Sequence, residues 1–268
     1  GTRVELISRR SVFADWGPSI VEEAEGFLQD EPNLNNHAPG TPVKVSRSEG
    51  GVAIEIEAGG TTKTVEAQHL LVATGRHAAV DGLGLDLAGI EIERGRVKAG
   101  PDMRTTNDKV FVAGDATGDR LLLHVANWEG VSAGIGALGE EDVPHVERRL
   151  DMAVVFTDPP LATLGLTEAQ AKEQGIAVVT AEARWPSTGR AITMDIAHGA
   201  IVLVAAADDG EILGAQILGP RADDIIHILS SVMYYQGTAK DMLAMPWYHP
   251  TLSEVLLSLA REIDGKTG

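Results

Sequence analysis

The sequence predicts an α/β protein continued by an α+β domain, and three observations carry that reading. A short apolar run at Val4, Leu6 and Ile7 is followed by Ile20, Ala24, Phe27 and Leu28 at helical spacing, the strand-then-helix unit of a parallel layer. A second apolar run, Val110-Phe111-Val112-Ala113, stops at Gly114-Asp115 and gives way to a glycine-rich helical stretch. Beyond Leu150, strand and helix patterns fall in separate blocks, as α+β folds show. The 268 residues, 44% hydrophobic with 30 glycines and only 4% aromatics, have room for two or three compact units with close backbone packing.

In chain order, Ser19 with Glu22 three positions on has capping-box spacing and predicts the start of the first helix. Alternating apolar runs at 43–45, 52–56 and 62–65, separated by Glu49-Gly50-Gly51 and Gly59-Gly60, predict a small antiparallel meander. The apolar run 70–73 ends at Thr74-Gly75-Arg76, where glycine permits a close turn and a domain crossing is expected. The strand at 110–113, its glycine turn and the helix carrying Gly130, Gly134, Gly136 and Gly139 form a geometry suited to a ligand at the strand's carboxyl end. Gly114, Gly130 and Gly134 are assigned to turn geometry and close packing, and residues 139–144 to a linker. Thr167 and Gln170 form a second capping box, closed by Gly175. Strands are expected at 178–183, 199–206 and 212–218, then a long helix at 223–236 stopped by Gly237, and a last helix at about 252–263.

Twenty-two basic against thirty-nine acidic residues give a net charge of -17, a field that repels phosphate backbones and anionic lipid surfaces. Nucleic-acid and membrane roles are therefore not expected. No apolar run approaches the roughly 18 residues of a membrane span, and the start of the chain lacks a secretory pattern; a cytoplasmic location is expected. The absence of cysteine excludes a disulfide, a thiolate metal site or a redox dithiol within these residues. No metal is expected either, because His37, His69 and His77 are scattered and read as surface residues. Tyr234 and Tyr235 are assigned to packing or subunit contact.

Against that background the run Trp247-Tyr248-His249-Pro250-Thr251-Leu252-Ser253-Glu254 stands out. A carboxylate beside an imidazole orients the ring and stabilises its protonated form, which makes histidine an acid and base near neutral pH. The competing assignment is structural: Thr251 and Glu254 have capping-box spacing for the last helix. Asp115, after an apolar run and a glycine, either accepts hydrogen bonds from a ligand's hydroxyls or caps a turn. Ser8-Arg9-Arg10 closes the first strand; arginines there pair with an extra phosphate, whereas an acidic residue accepts ribose hydroxyls. The alternative is two solvated surface arginines.

Five ordered blocks resemble the flavoprotein pyridine nucleotide-disulfide oxidoreductases, the group of dihydrolipoamide dehydrogenase, glutathione reductase and mercuric reductase. They are residues 71–76, 106–115, 159–168, Gly189-Arg190-Ala191 and 249–254. The resemblance implies partial Rossmann-like nucleotide-binding domains followed by an α+β dimerisation domain: residues 1–76 as the remainder of an NAD(P) domain, 77–149 as the second part of an FAD domain, and 150–268 as the interface of a homodimer. It implies FAD contacts from Asp115, with Gly114, Ala116, His124 and Ala126 beside it and Thr74, Gly75 and Arg76 at the crossing. It also implies a nicotinamide cofactor met by Ser8, Arg9 and Arg10, with NADP favoured over NAD. His249 and Glu254 would then be the catalytic pair, serving a disulfide site on the opposite subunit and a small-molecule disulfide substrate. Both glycine fingerprints and the redox cysteine pair of such enzymes are absent, so these residues correspond to the carboxyl-terminal part and are not expected to turn over alone. The His-Pro-Thr-Leu-Ser-Glu wording is nearest to dihydrolipoamide dehydrogenases, whose usual NAD preference Ser8-Arg9-Arg10 does not match; mercuric reductases normally lack this histidine block. A same-fold transhydrogenase or quinone reductase, and a non-catalytic dimerisation fragment, are the alternatives.

Overall fold

The computed structural model describes residues 1–140 and 142–267. They form two compact units, one made of residues 1–71 with 149–267 and the other lying within 72–148.

Strand β1 (Val4–Leu6) pairs in parallel with β2 (Leu34–Asn36), and helix α1 (Pro18–Asp30) lies between them in sequence. The expected strand-helix unit forms, but α1 starts differently from its predicted capping box. Gly17 is the N-cap and Pro18 occupies the first turn, where its missing N–H would have had no helical partner anyway. Ser19 lies inside the helix with a buried, unpartnered Oγ. The apolar face of Ile20, Ala24 and Phe27 packs on Leu161, Ala200 and Leu218. The meander is as predicted: β3 (Thr41–Ser48), β4 (Gly51–Ala58) and β5 (Thr61–Ala67) pair antiparallel in that order, and Ile54, Ile56 and Val65 pack with Ile7.

In residues 72–148, a two-residue hairpin of β6 (Ile92–Glu93) and β7 (Arg96–Val97) precedes a 3-10 turn at Gly114–Thr117 and helix α2 (Leu123–Ala137). The core is Val80, Ile90 and Val97 with Val110, Val112 and Ala116 around them. The strand expected at 110–113 does not form. These residues make one isolated bridge, from Phe111 to Arg104, flanked by bonds from the Thr105 N–H to the Val110 carbonyl and from the Val112 N–H to the Met103 carbonyl. A strand needs a neighbour that completes its hydrogen-bond ladder, and the short stretch 103–105 supplies too little of one. In the apolar run 70–73, Leu71 is 87% exposed. Among the helix glycines, a Cβ at Gly136 would come within 2.5 Å of the Phe111 ring, whereas Gly130 and Gly134 face open space. Close packing is therefore required at Gly136 and not at the two positions it was assigned to. The predicted linker at 139–144 includes residue 141, outside the described residues.

The remaining elements are β8 (Met152–Val155), β9 (Leu161–Gly165), α3 (Glu168–Glu173), β10 (Val178–Arg184), α4 (Gly189–Thr193), β11 (Ala200–Ala206), β12 (Ile212–Leu218), α5 (Ala222–Tyr234), α6 (Ala239–Ala244) and α7 (Val255–Asp264). The five strands form one antiparallel sheet in the order β10-β11-β12-β9-β8. Both bonds of the Thr167–Gln170 capping box are present at α3. Helices α5 and α7 bury Ile225, Leu229 and Met233, and Leu256, Leu259 and Ile263, in a core shared with the sheet and with Trp185, which is 1% exposed.

Helix α1 is also held to this sheet by charge. Arg184 at the end of β10 pairs with Glu22 at 2.7 Å and with Glu23, whose other oxygen accepts the Gly199 N–H at 2.7 Å, while His198 meets Asp30 at 2.7 Å. Arg184→Ala leaves Glu23 half-buried without its counter-charge, so a loss of about 1–3 kcal/mol is expected in urea unfolding. Lysine should restore only part of it, because a single ammonium cannot reproduce the guanidinium fork.

Candidate functional site

His249 sits in the loop between α6 and α7, anchored upstream by Trp247, whose indole N–H donates to the Met242 carbonyl at 2.8 Å. Glu254 is the N-cap residue of α7, but its side chain makes no capping bond and turns to the imidazole instead. His249 Nδ1 lies 2.8 Å from Oε2 and 3.1 Å from Oε1. Thr251 Oγ1 donates to the Tyr248 carbonyl and meets Ser253, so the rival Thr251–Glu254 capping box does not form. The histidine side chain is 78% exposed and the glutamate 23%. With Nδ1–H donated to the carboxylate, Nε2 is left as a hydrogen-bond acceptor on an exposed ring.

A second constellation surrounds Asp115, in the 3-10 turn. Gly114 adopts φ 70°, and a Cβ there would approach that of Ala126 at 3.3 Å, so the turn and α2 meet through a glycine for lack of room. The Asp115 carboxylate is exposed and accepts from Arg76 Nη1 at 3.0 Å, while Arg76 Nη2 donates to the Leu121 carbonyl at 2.6 Å. Thr74 and Gly75 lead into that arginine, both exposed. Ala116 is half-buried against the small core, and His124 stacks edge-on to Trp128 with a buried, unpartnered Nε2. An exposed carboxylate, an arginine and an orphaned imidazole nitrogen beside a tight glycine turn are groups that a polar ligand can satisfy; they fit a flavin's hydroxyls and polar edge.

Sequence reasoning passed over Glu129. Its fully buried carboxylate accepts the Gly114 N–H at 2.7 Å and binds Arg148 Nη2 at 2.7 Å. Arg148 also reaches Asp119 at 3.2 Å.

At the third expected site, the Ser8 carbonyl accepts the Gly40 N–H at 2.7 Å. Arg10 is engaged by Asp15, whereas Arg9 is exposed and makes no ion pair among the described residues. A phosphate-binding role thus fits Arg9 better than Arg10. Nearby, His37 is not the surface residue expected: its Nε2 meets Glu5 at 2.7 Å and its Nδ1 accepts from Lys63 at 2.6 Å. Hydrogen bonds from Asn35 and His37 hold the Glu5 carboxyl below its usual range. Among the described residues, no helix is long and apolar enough to cross a membrane.

A parallel βαβ start, a glycine turn presenting a carboxylate, and an antiparallel sheet with helices define an α/β protein with an added α+β domain. Residues 152–260 match the family described as pyridine nucleotide-disulphide oxidoreductase, dimerisation domain, and residues 1–130 match pyridine nucleotide-disulphide oxidoreductase. The chain belongs to this family. It is 35% identical to dihydrolipoyl dehydrogenase of Bacillus subtilis over 87% of this chain and 49% of the relative. It is 31% identical to mercuric reductase of Staphylococcus aureus over 98% of this chain and 48% of the relative. Among solved structures, LpdA from Mycobacterium tuberculosis matches at a TM-score of 0.82 and 25% identity, over 97% of this chain and 56% of that one. The chain therefore spans about half the length of the curated relatives it matches.

Proposed function

We propose that this chain acts as the carboxyl-terminal portion of a homodimeric, cytoplasmic flavoprotein that passes electrons from NADPH through FAD to a small-molecule disulfide. The observation that carries the proposal is the His249–Glu254 pair, with an outward Nε2, in a chain without cysteine. Residues 1–76 serve the nicotinamide nucleotide, 77–149 the flavin, and 150–268 the subunit interface, where exposed Phe156, Tyr234, Tyr235 and Tyr248 supply apolar area for a second copy. The acidic balance of the chain fits a partner set without nucleic acid or membrane.

When bound, the flavin supplies the relay between hydride and disulfide chemistry. Asp115 holds the cofactor's side-chain hydroxyls, with Arg76 beside it and Gly114, Ala116, His124 and Ala126 forming the wall; Thr74 and Gly75 bring Arg76 into place. His249 Nε2 takes the proton of an incoming thiol and returns it to a departing thiolate, and Glu254 keeps the ring in the tautomer that this requires. Arg9, with Ser8 in place of an acidic residue, accepts the extra phosphate of NADPH.

The full-length protein should purify yellow, with FAD at one per subunit, and should be reduced anaerobically by NADPH before any disulfide is added. A colourless dimer would favour the non-catalytic module, and turnover of a quinone without any thiol would favour the quinone reductase. For cofactor choice, Arg9→Ala should lower kcat/KM for NADPH by about 10–100-fold, since a charge-assisted hydrogen bond is worth about 1.5–3 kcal/mol. NADH should be hardly affected, and Arg10→Ala should do less. Equal losses with both nucleotides would contradict the phosphate role.

A further inference from the structure

Glu129 poses a physical question. Its side chain is completely buried in α2, on the same stripe as Val125, Ser132 and Gly136, where an apolar residue would pack without any desolvation penalty. Buried ion pairs are often no more stabilising than hydrophobic replacements, so stability alone does not explain a carboxylate here. Its two bonds do. One oxygen accepts the Gly114 N–H at 2.7 Å, and the other accepts from Arg148 at 2.7 Å. Gly114 is the left-handed residue immediately before Asp115, and its carbonyl is held in turn by Thr117 Oγ1 at 2.9 Å. Both peptides flanking the Gly114 Cα are thereby fixed, which sets the direction in which the next side chain leaves the turn.

We propose that Glu129, with Arg148 as its counter-charge, is a positioning residue that aims the Asp115 carboxylate at the bound flavin nucleotide. The proposal rests on the FAD reading given above. Arg148 cancels the charge that Glu129 brings into the interior and, through its second contact with Asp119 at 3.2 Å, ties the far end of the same loop. Glu129 touches no ligand; it acts through Gly114.

The test is FAD affinity in the full-length protein, read by flavin fluorescence on titrating the apoprotein, as a double-mutant cycle. Asp115→Ala should weaken FAD by about 10–100-fold and Glu129→Gln by about tenfold, since each removes charge-assisted hydrogen bonding. In the Asp115→Ala background, Glu129→Gln should cost less than about twofold, because its effect passes through the missing carboxylate. Losses that multiply would overturn the positioning role while leaving Asp115 a flavin ligand. No effect of Asp115→Ala would overturn the FAD reading itself and the proposal with it. Should Glu129→Gln not fold, Arg148→Met takes its place in the cycle, with Arg148→Lys expected to restore part of the affinity.

Discussion

His249→Ala in the full-length protein should slow thiol-disulfide exchange by about 10²–10⁴-fold, the range that a positioned acid-base group contributes. Flavin reduction by NADPH should stay within about twofold of wild type. The split follows from the proposed role, in which Nε2 handles only the thiol proton while Nδ1 is committed to Glu254. Glu254→Gln should give a smaller loss in the same half-reaction, since the amide oxygen still accepts from Nδ1–H but holds the ring less firmly than a carboxylate does. Rapid-mixing measurement of the two half-reactions checks this, and equal slowing of both would reject the assigned role.

The largest expected effect on stability is at Trp185. Its indole is 1% exposed and lies over Gly199 and Gly219, where a Cβ would come within 2.5 and 2.0 Å of the ring. Two glycines have thus been cut away to seat one side chain. Trp185→Ala should cost about 3–5 kcal/mol, the range for an aromatic deleted from a packed core. Trp185→Phe should cost well under half as much, because it keeps most of the apolar surface and removes an indole N–H that has no partner. Urea unfolding followed by far-UV circular dichroism measures both, and an alanine variant within 1 kcal/mol of wild type would contradict this view of the core.

What could be read from the sequence divides according to range. The dyad is a local signal: His249 and Glu254 are five positions apart, and the start of a helix brings them together. Periodicity similarly exposed the meander, α1, α5 and α7. An apolar run also placed a strand at 110–113, but a strand depends on a neighbour, and apolar character alone does not provide one. Among the elements overlooked, two carried available signals. Helix α6 opens on a Thr238–Asp241 capping box with both bonds formed, an Asp variant of the usual pattern, and β9 follows directly after Pro159-Pro160, which reads as a break. Glu129 lay hidden for a different reason, since its partners Gly114 and Arg148 are 15 and 19 residues away. One trace of it was present nonetheless: Val125, Glu129, Ser132 and Gly136 share one helical face, and a carboxylate on a buried stripe is a group that must have a partner. At the first capping box, Ser19 lost to Gly17-Pro18, where proline fixes the entry to the helix without any side-chain bond.

The claim on which the account turns is that the His249 imidazole serves sulfur atoms belonging to the opposite subunit. Mixed dimers of a His249→Ala subunit with a subunit whose redox cysteines are replaced by serine test it directly. Each parent homodimer should be nearly inactive in disulfide reduction, and mixed dimers should recover about half the wild-type activity per dimer, because one of the two sites regains both its thiols and its imidazole. Mixed dimers no more active than either parent would place the histidine and the thiols in the same subunit and contradict the account.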